Sequence, residues 1–131
     1  MSHSPAQLTI AVDWSARSAP SPKRPSPDAI WIAHNADRIN HPPEYLRTRH
    51  AATHRITELL AGHPGPALVG FDFPLGYPLA VDRTPVMPIG QNLCARLASL
   101  IDDKPDNRNN RFDVAEQLNA AVQEGNRGRV S

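Results

Sequence analysis

The chain has 131 residues, 40% of them hydrophobic and 21% charged, with a formal net charge of +1. That composition fits one soluble globular domain with a modest core and leaves no electrostatic footprint from which nucleic-acid binding can be argued. No apolar run reaches the ~20 residues of a membrane span, and the only cysteine, Cys94, excludes an intrachain disulfide and suits a reducing compartment. Met1 to Gln7 lack a basic stretch followed by an apolar one, so the expected location is the cytoplasm, away from any membrane.

Leu8-Thr9-Ile10-Ala11-Val12 is a β-branched, apolar run ending at Asp13-Trp14-Ser15, and it predicts a buried strand that delivers a carboxylate to its carboxyl end. Residues 16–28 hold Pro20, Pro22, Pro25 and Pro27 among serines, with Arg17, Lys23 and Arg24, and predict a mobile loop. Either the loop is a solvated connection or its basic residues overhang the site next to Asp13. Ala29 to His34 is a second strand, compatible with antiparallel pairing to the first, and Arg38 to His41 fits a short edge strand.

Pro43 suits the first turn of a helix and Glu44 the positive end of its dipole. Tyr45, Leu46, Ala52, Ile56, Leu59 and Leu60 then recur at helical spacing up to Ala61-Gly62. His50 and His54 are four apart on that helix, but no HExxH order or cysteine pair accompanies them, so zinc is not expected.

Ala67 to Phe71 is a continuous apolar run, the pattern of a strand covered on both faces, and Asp72 closes it between two phenylalanines. Pro74, Gly76 and Pro78 keep the following chain irregular. A carboxylate on a buried strand tip calls for a metal, a cation or donated hydrogen bonds, although a turn cap is the simpler use of an aspartate. Strand, helix and strand make a crossover with parallel pairing. Asp13 and Asp72 then stand alike on two strands, within reach of one cation such as Mg²⁺ or Mn²⁺. The amino end of the helix falls near the carboxyl end of the second strand. That geometry favours Glu44, Arg47 and Thr48 as neighbours of the site over Glu58, about 20 Å further along at ~1.5 Å per residue.

Residues 79–88 read as irregular, Asn92 to Ile101 as a short helix with Cys94 packed beside its apolar face, and Phe112 to Val122 as a final helix. The acidic run from Asp102 to Arg111 lacks the glycine and terminal glutamate of an EF-hand. Residues 1–7 and 123–131 read as flexible ends of one domain spanning 8–122.

The two strand-plus-aspartate motifs, Ile10-Ala11-Val12-Asp13-Trp14-Ser15 and Val69-Gly70-Phe71-Asp72-Phe73-Pro74-Leu75-Gly76-Tyr77-Pro78, separated by one helix, resemble the domain-of-unknown-function family 429. Its members are predicted RNase H-like nucleases. The resemblance extends to Arg47-Thr48-Arg49 before the crossover helix and to Asn110-Arg111-Phe112 before the last one. It implies an α/β fold with an RNase H-like mixed sheet, antiparallel first strands, a helical crossover to a parallel strand, and flanking helices. It also implies metal-dependent phosphodiester hydrolysis, with Asp13 bridging two metals and Asp72 holding one. Such sites need further acidic ligands, for which Glu44, Asp113 and Glu116 are the candidates; Arg47, Arg49 and Arg111 are the expected substrate-binding residues. The later elements of that fold are not legible in the chain, which reads as a shortened or truncated member. The contrasting expectation is a binding or regulatory module that keeps the fold without catalysis.

Overall fold

The computed structural model describes residues 7–73 and 93–127, apart from the side chains of 125–127. Residues 74–78, which close the second motif, and the irregular stretch 79–88 lie outside the described residues. The chain divides into two compact units, Met1–Phe73 with Lys104–Arg108, and Pro74–Asp103 with Asn109–Ser131. It is an α/β protein with a mixed, open sheet and, among the described residues, three helices.

The first unit carries the sheet, in the order β3-β2-β1-β5 with β4 also on β2. β1 (Leu8–Asp13) pairs antiparallel with β2 (Ile30–Ala36), which pairs antiparallel with β3 (Ile39–Asn40) and β4 (Glu44–Leu46). Among the described residues, the single parallel pair joins β1 to β5 (Ala67–Phe71). Between them α1 (Arg49–Ala61) makes the crossover. β2 and β3 are linked through Asp37 and Arg38, both with positive φ (50° and 68°), the backbone of a tight two-residue hairpin turn.

Alternation along β1 decides where the core lies. Leu8, Ile10 and Val12 are buried, with Ile30 and Ile32 of β2 beside them and Ala52 and Ile56 of α1 packed on top. Each fully buried aliphatic side chain of this kind contributes roughly 1.5–3 kcal/mol. Trp14 extends the same face, its ring edge-on to Phe71 and Phe73 at 6.0 and 6.2 Å. Thr9, Ala11 and Asp13 project to the other side and are exposed.

Several expectations are corrected here. β1 is buried on one face, and β5 is mostly exposed, with Leu68 at 61%. A run of five apolar residues therefore marks a strand without fixing how many faces are covered. Glu44, Tyr45 and Leu46 form β4 rather than the first turn of a helix, because Leu46, Tyr45 and Glu44 pair with Ile30, Trp31 and Ile32. Tertiary pairing overrides the local helical spacing, and the stronger start signal is Thr48, whose hydroxyl accepts the Ala51 N–H at 3.1 Å as the N-cap of α1.

The loop over 16–28 is tied down at several points. Ser21 is buried and exchanges bonds with Arg47, its N–H donating to the Arg47 carbonyl at 2.8 Å and its own carbonyl accepting from Arg47 Nε at 2.7 Å. The Tyr45 hydroxyl donates to the Pro22 carbonyl at 2.8 Å, and Asp28 holds Ser26 and Arg17.

The second unit contains α2 (Leu93–Leu100), with Cys94 half-buried, and α3 (Arg111–Arg127). Asn110 joins them: its amide donates to the Leu100 carbonyl at 3.0 Å and its side-chain oxygen accepts from Asp102 N–H at 2.8 Å. α3 starts one residue before the expected Phe112 and continues through 123–127, expected as a flexible tail, since each added residue closes one more helical hydrogen bond. No helix among the described residues is long and apolar enough to cross a membrane.

Candidate functional site

The parallel register sets Val12 opposite Phe71, and the Asp72 N–H donates to the Val12 carbonyl at 3.0 Å. One further step of that ladder places Asp72, the residue just past β5, beside Asp13 at the end of β1, a spacing of ~4.8 Å between backbones. Both carboxylates belong to the sheet face opposite α1. Together they line an open cavity of about 760 Å³ with Ala11, Trp31, Ala33 and Gly70.

The antiparallel pairings extend this into rows across the sheet. One row reads Asp72, Asp13, Trp31 and Tyr45 from β5 to β4, and the row beneath it reads Gly70, Ala11 and Ala33. The Trp31 and Tyr45 rings meet at 5.2 Å and 55°. A strip of small residues is thus bordered on one side by two acids and an aromatic pair.

Exposure changes what the aspartates require. Both are solvent-accessible, so the desolvation cost expected of a buried carboxylate does not arise. What remains is like charge at neighbouring positions, which is unfavourable in a sheet and which a shared cation would relieve.

Glu44 does not join them. Its strand partner is Ile32, so it faces α1, where Arg55 Nε donates to its two oxygens at 2.9 and 3.2 Å. That contact raises the Arg55 pKa further, chiefly through the hydrogen bond itself. His34 Nδ1 lies 3.6 Å from the same carboxylate, and its ring stacks on His41 at 4.3 Å. Burial first, and then the neighbouring His41, lower the His34 pKa.

Arg49, expected to bind substrate, is instead a structural clamp and is only 8% exposed. Its guanidinium donates to the carbonyls of Ser15, Arg17 and Asn107 at 3.1, 2.7 and 2.8 Å. These bonds bring the amino end of α1 to the chain just past Asp13, the end of the sheet expected for it. Arg47 is exposed, with Nε committed to Ser21. Arg111 and Asp113 stand in the first turn of α3, in the second unit, where the Arg111 guanidinium lies over the Phe112 ring at 4.7 Å. Glu116 is exposed on the same helix.

Two residues, Asn107 and Trp31, have roles that sequence pattern does not announce. Asn107 sits in the polar run after Asp103, with φ of 72° and 2% exposure. Asparagine tolerates the left-handed region better than most residues, which is the one local signal for it. Trp31 was legible as a strand residue but not as a neighbour of Asp13, because that relation exists only in the register.

The donor set fits a hard divalent cation: two adjacent carboxylates offer oxygen ligands, and Mg²⁺ or Mn²⁺ bound by one or two carboxylates completes its shell with water or phosphate oxygens. Among the described residues no three His, Cys, Asp or Glu side chains come together as a metal-binding group. No protein-family model, curated protein or solved structure matches the chain.

Proposed function

We propose that Asp13 and Asp72 hold a divalent cation, Mg²⁺ or Mn²⁺, and that the protein is a metal-dependent phosphoryl-transfer enzyme of RNase H-like type, with nucleic acid as substrate. The observation that supports it is the β1–β5 register, which puts two strand-borne carboxylates side by side at the mouth of one cavity. The resemblance of the two motifs to family 429, and the antiparallel strands followed by a helical crossover to a parallel one, agree with this reading.

The bound cation would supply charge neutralisation at the phosphate and activation of water. The chain's own part is to hold the two carboxylates at the carboxyl ends of β1 and β5, so that the ligand geometry is set before substrate arrives. Glu44 takes no part in this set.

A second reading, a binding module without catalysis, draws on the two-carboxylate donor set. Thermal unfolding with Mn²⁺, paired with cleavage assays on single-stranded, duplex and hybrid nucleic acid, tests both. The enzyme reading expects a metal-dependent rise in Tm, lost in Asp72→Asn, together with cleavage. Metal-dependent stabilisation and nucleic-acid binding without cleavage would favour the module. Indifference to metal would sink both the cation site and the enzyme.

A further inference from the structure

Trp31 is the register partner of Asp13, one strand spacing from it across the open face, and its indole forms a wall of the cavity. That ring is held before any ligand arrives. Its Nε1–H donates to the Ser26 carbonyl at 3.0 Å, and its other flank rests on Tyr45, itself fixed through its hydroxyl to Pro22. A ring already immobilised in this way loses little further freedom when something stacks on it.

The far side of the cavity, two strands from the indole, is open. At Gly70 an added Cβ would meet nothing nearer than the Ile10 carbonyl at 4.0 Å, so the sheet tolerates a larger residue there. Among the described residues, the charged groups that line the cavity are both carboxylates. A bare phosphate is repelled by them and needs an intervening cation, whereas an uncharged planar ring can settle against the indole one strand away.

We propose that Trp31 is a substrate-positioning residue, the stacking surface for one unpaired nucleobase whose adjoining phosphate lies at Asp13 and Asp72. The proposal rests on the phosphoryl-transfer reading of the same site and adds a selection to it. Bases in a duplex are already stacked on one another, so the site takes single strands. Stacking of a base on an aromatic side chain is sequence-tolerant and contributes about tenfold or more to affinity.

Trp14 is on the opposite face, packed towards the core, and is the only other tryptophan. In Trp14→Phe the intrinsic fluorescence therefore reports Trp31 alone. With Ca²⁺ present, a short single-stranded oligothymidylate is expected to quench it saturably, and a duplex of the same length is not. By anisotropy of the labelled strand, Trp31→Ala binds about tenfold more weakly and Trp31→Phe within about twofold of the parent. Should Trp31→Ala fail to fold, Ala33→Leu fills the space beside the indole and is expected to weaken binding likewise. Equal affinity for single strand and duplex, or unchanged affinity in Trp31→Ala and Ala33→Leu, overturns the proposal. If no strand binds while Mn²⁺ still stabilises the protein through both aspartates, the stacking role alone is lost. If the metal response is missing as well, the reading beneath it falls too.

Discussion

Asn107 grips Arg49 from two directions: its side-chain oxygen accepts the Arg49 main-chain N–H at 2.8 Å, and its carbonyl accepts from the Arg49 guanidinium at 2.8 Å. The first bond satisfies one of the donors left open at the amino end of α1. The Asn107 amide also donates to the carbonyls of Ala19 and Arg47 at 3.1 and 3.2 Å, so one buried side chain joins the Pro-rich loop to the helix start. Asn107→Ala leaves these groups unpaired in a buried setting and is expected to cost about 2–4 kcal/mol, measured by urea unfolding. A loss within ~0.5 kcal/mol would show that the network is dispensable.

Acid should weaken the fold through His34. Its side chain is 8% exposed, and its pKa is lowered by burial and by His41. A histidine whose folded pKa lies below its unfolded one contributes stability that is fully present above about pH 6.5 and is lost as pH falls towards the folded value. Urea midpoints are therefore expected to drop between pH 7 and pH 5, and His34→Gln should flatten that drop. A midpoint that rises on acidification contradicts the assignment.

Glu44 separates a structural carboxylate from the two proposed to bind a cation. Its pairing with Arg55 is partly solvent-exposed, so Glu44→Gln is expected to cost no more than about 1 kcal/mol. The same substitution should leave the Mn²⁺-induced rise in Tm unchanged. Loss of that rise in Glu44→Gln would restore Glu44 to the ligand set.

The hairpin between β2 and β3 carries a non-glycine residue at each left-handed position. Arg38, with φ of 68°, is the more strained, since the second position of such turns favours glycine. Arg38→Gly should raise stability by roughly 0.5–1 kcal/mol in urea titrations, and a decrease would show that the Arg38 side chain contributes contacts of its own.

What the sequence made legible follows from the range of the interactions involved. β1, β5 and the body of α1 were readable because local hydrophobic pattern specifies them, and Asp13 and Asp72 were readable because each interrupts such a pattern at its end. Glu44 was misplaced because pairing of β4 with β2 involves residues more than ten positions apart, while helical spacing over Tyr45 and Leu46 is visible locally. The structural role of Arg49, expected to bind substrate, is not legible because its acceptors are main-chain carbonyls, which no side-chain pattern announces. The same limit hid Asn107, and it hid Trp31 as a neighbour of the two acids.

The cation site exists only if Asp13 and Asp72 act on one ion together. Titration of the protein with Mn²⁺, followed by electron paramagnetic resonance of the free ion, counts the sites and their affinity directly. The prediction is a site whose affinity falls by at least about tenfold in Asp13→Asn and equally in Asp72→Asn, with the double variant no weaker than about twofold below either single one, as expected for coupled ligands. Mn²⁺ binding that is unchanged in both single variants, or lost in only one of them, would contradict a shared centre.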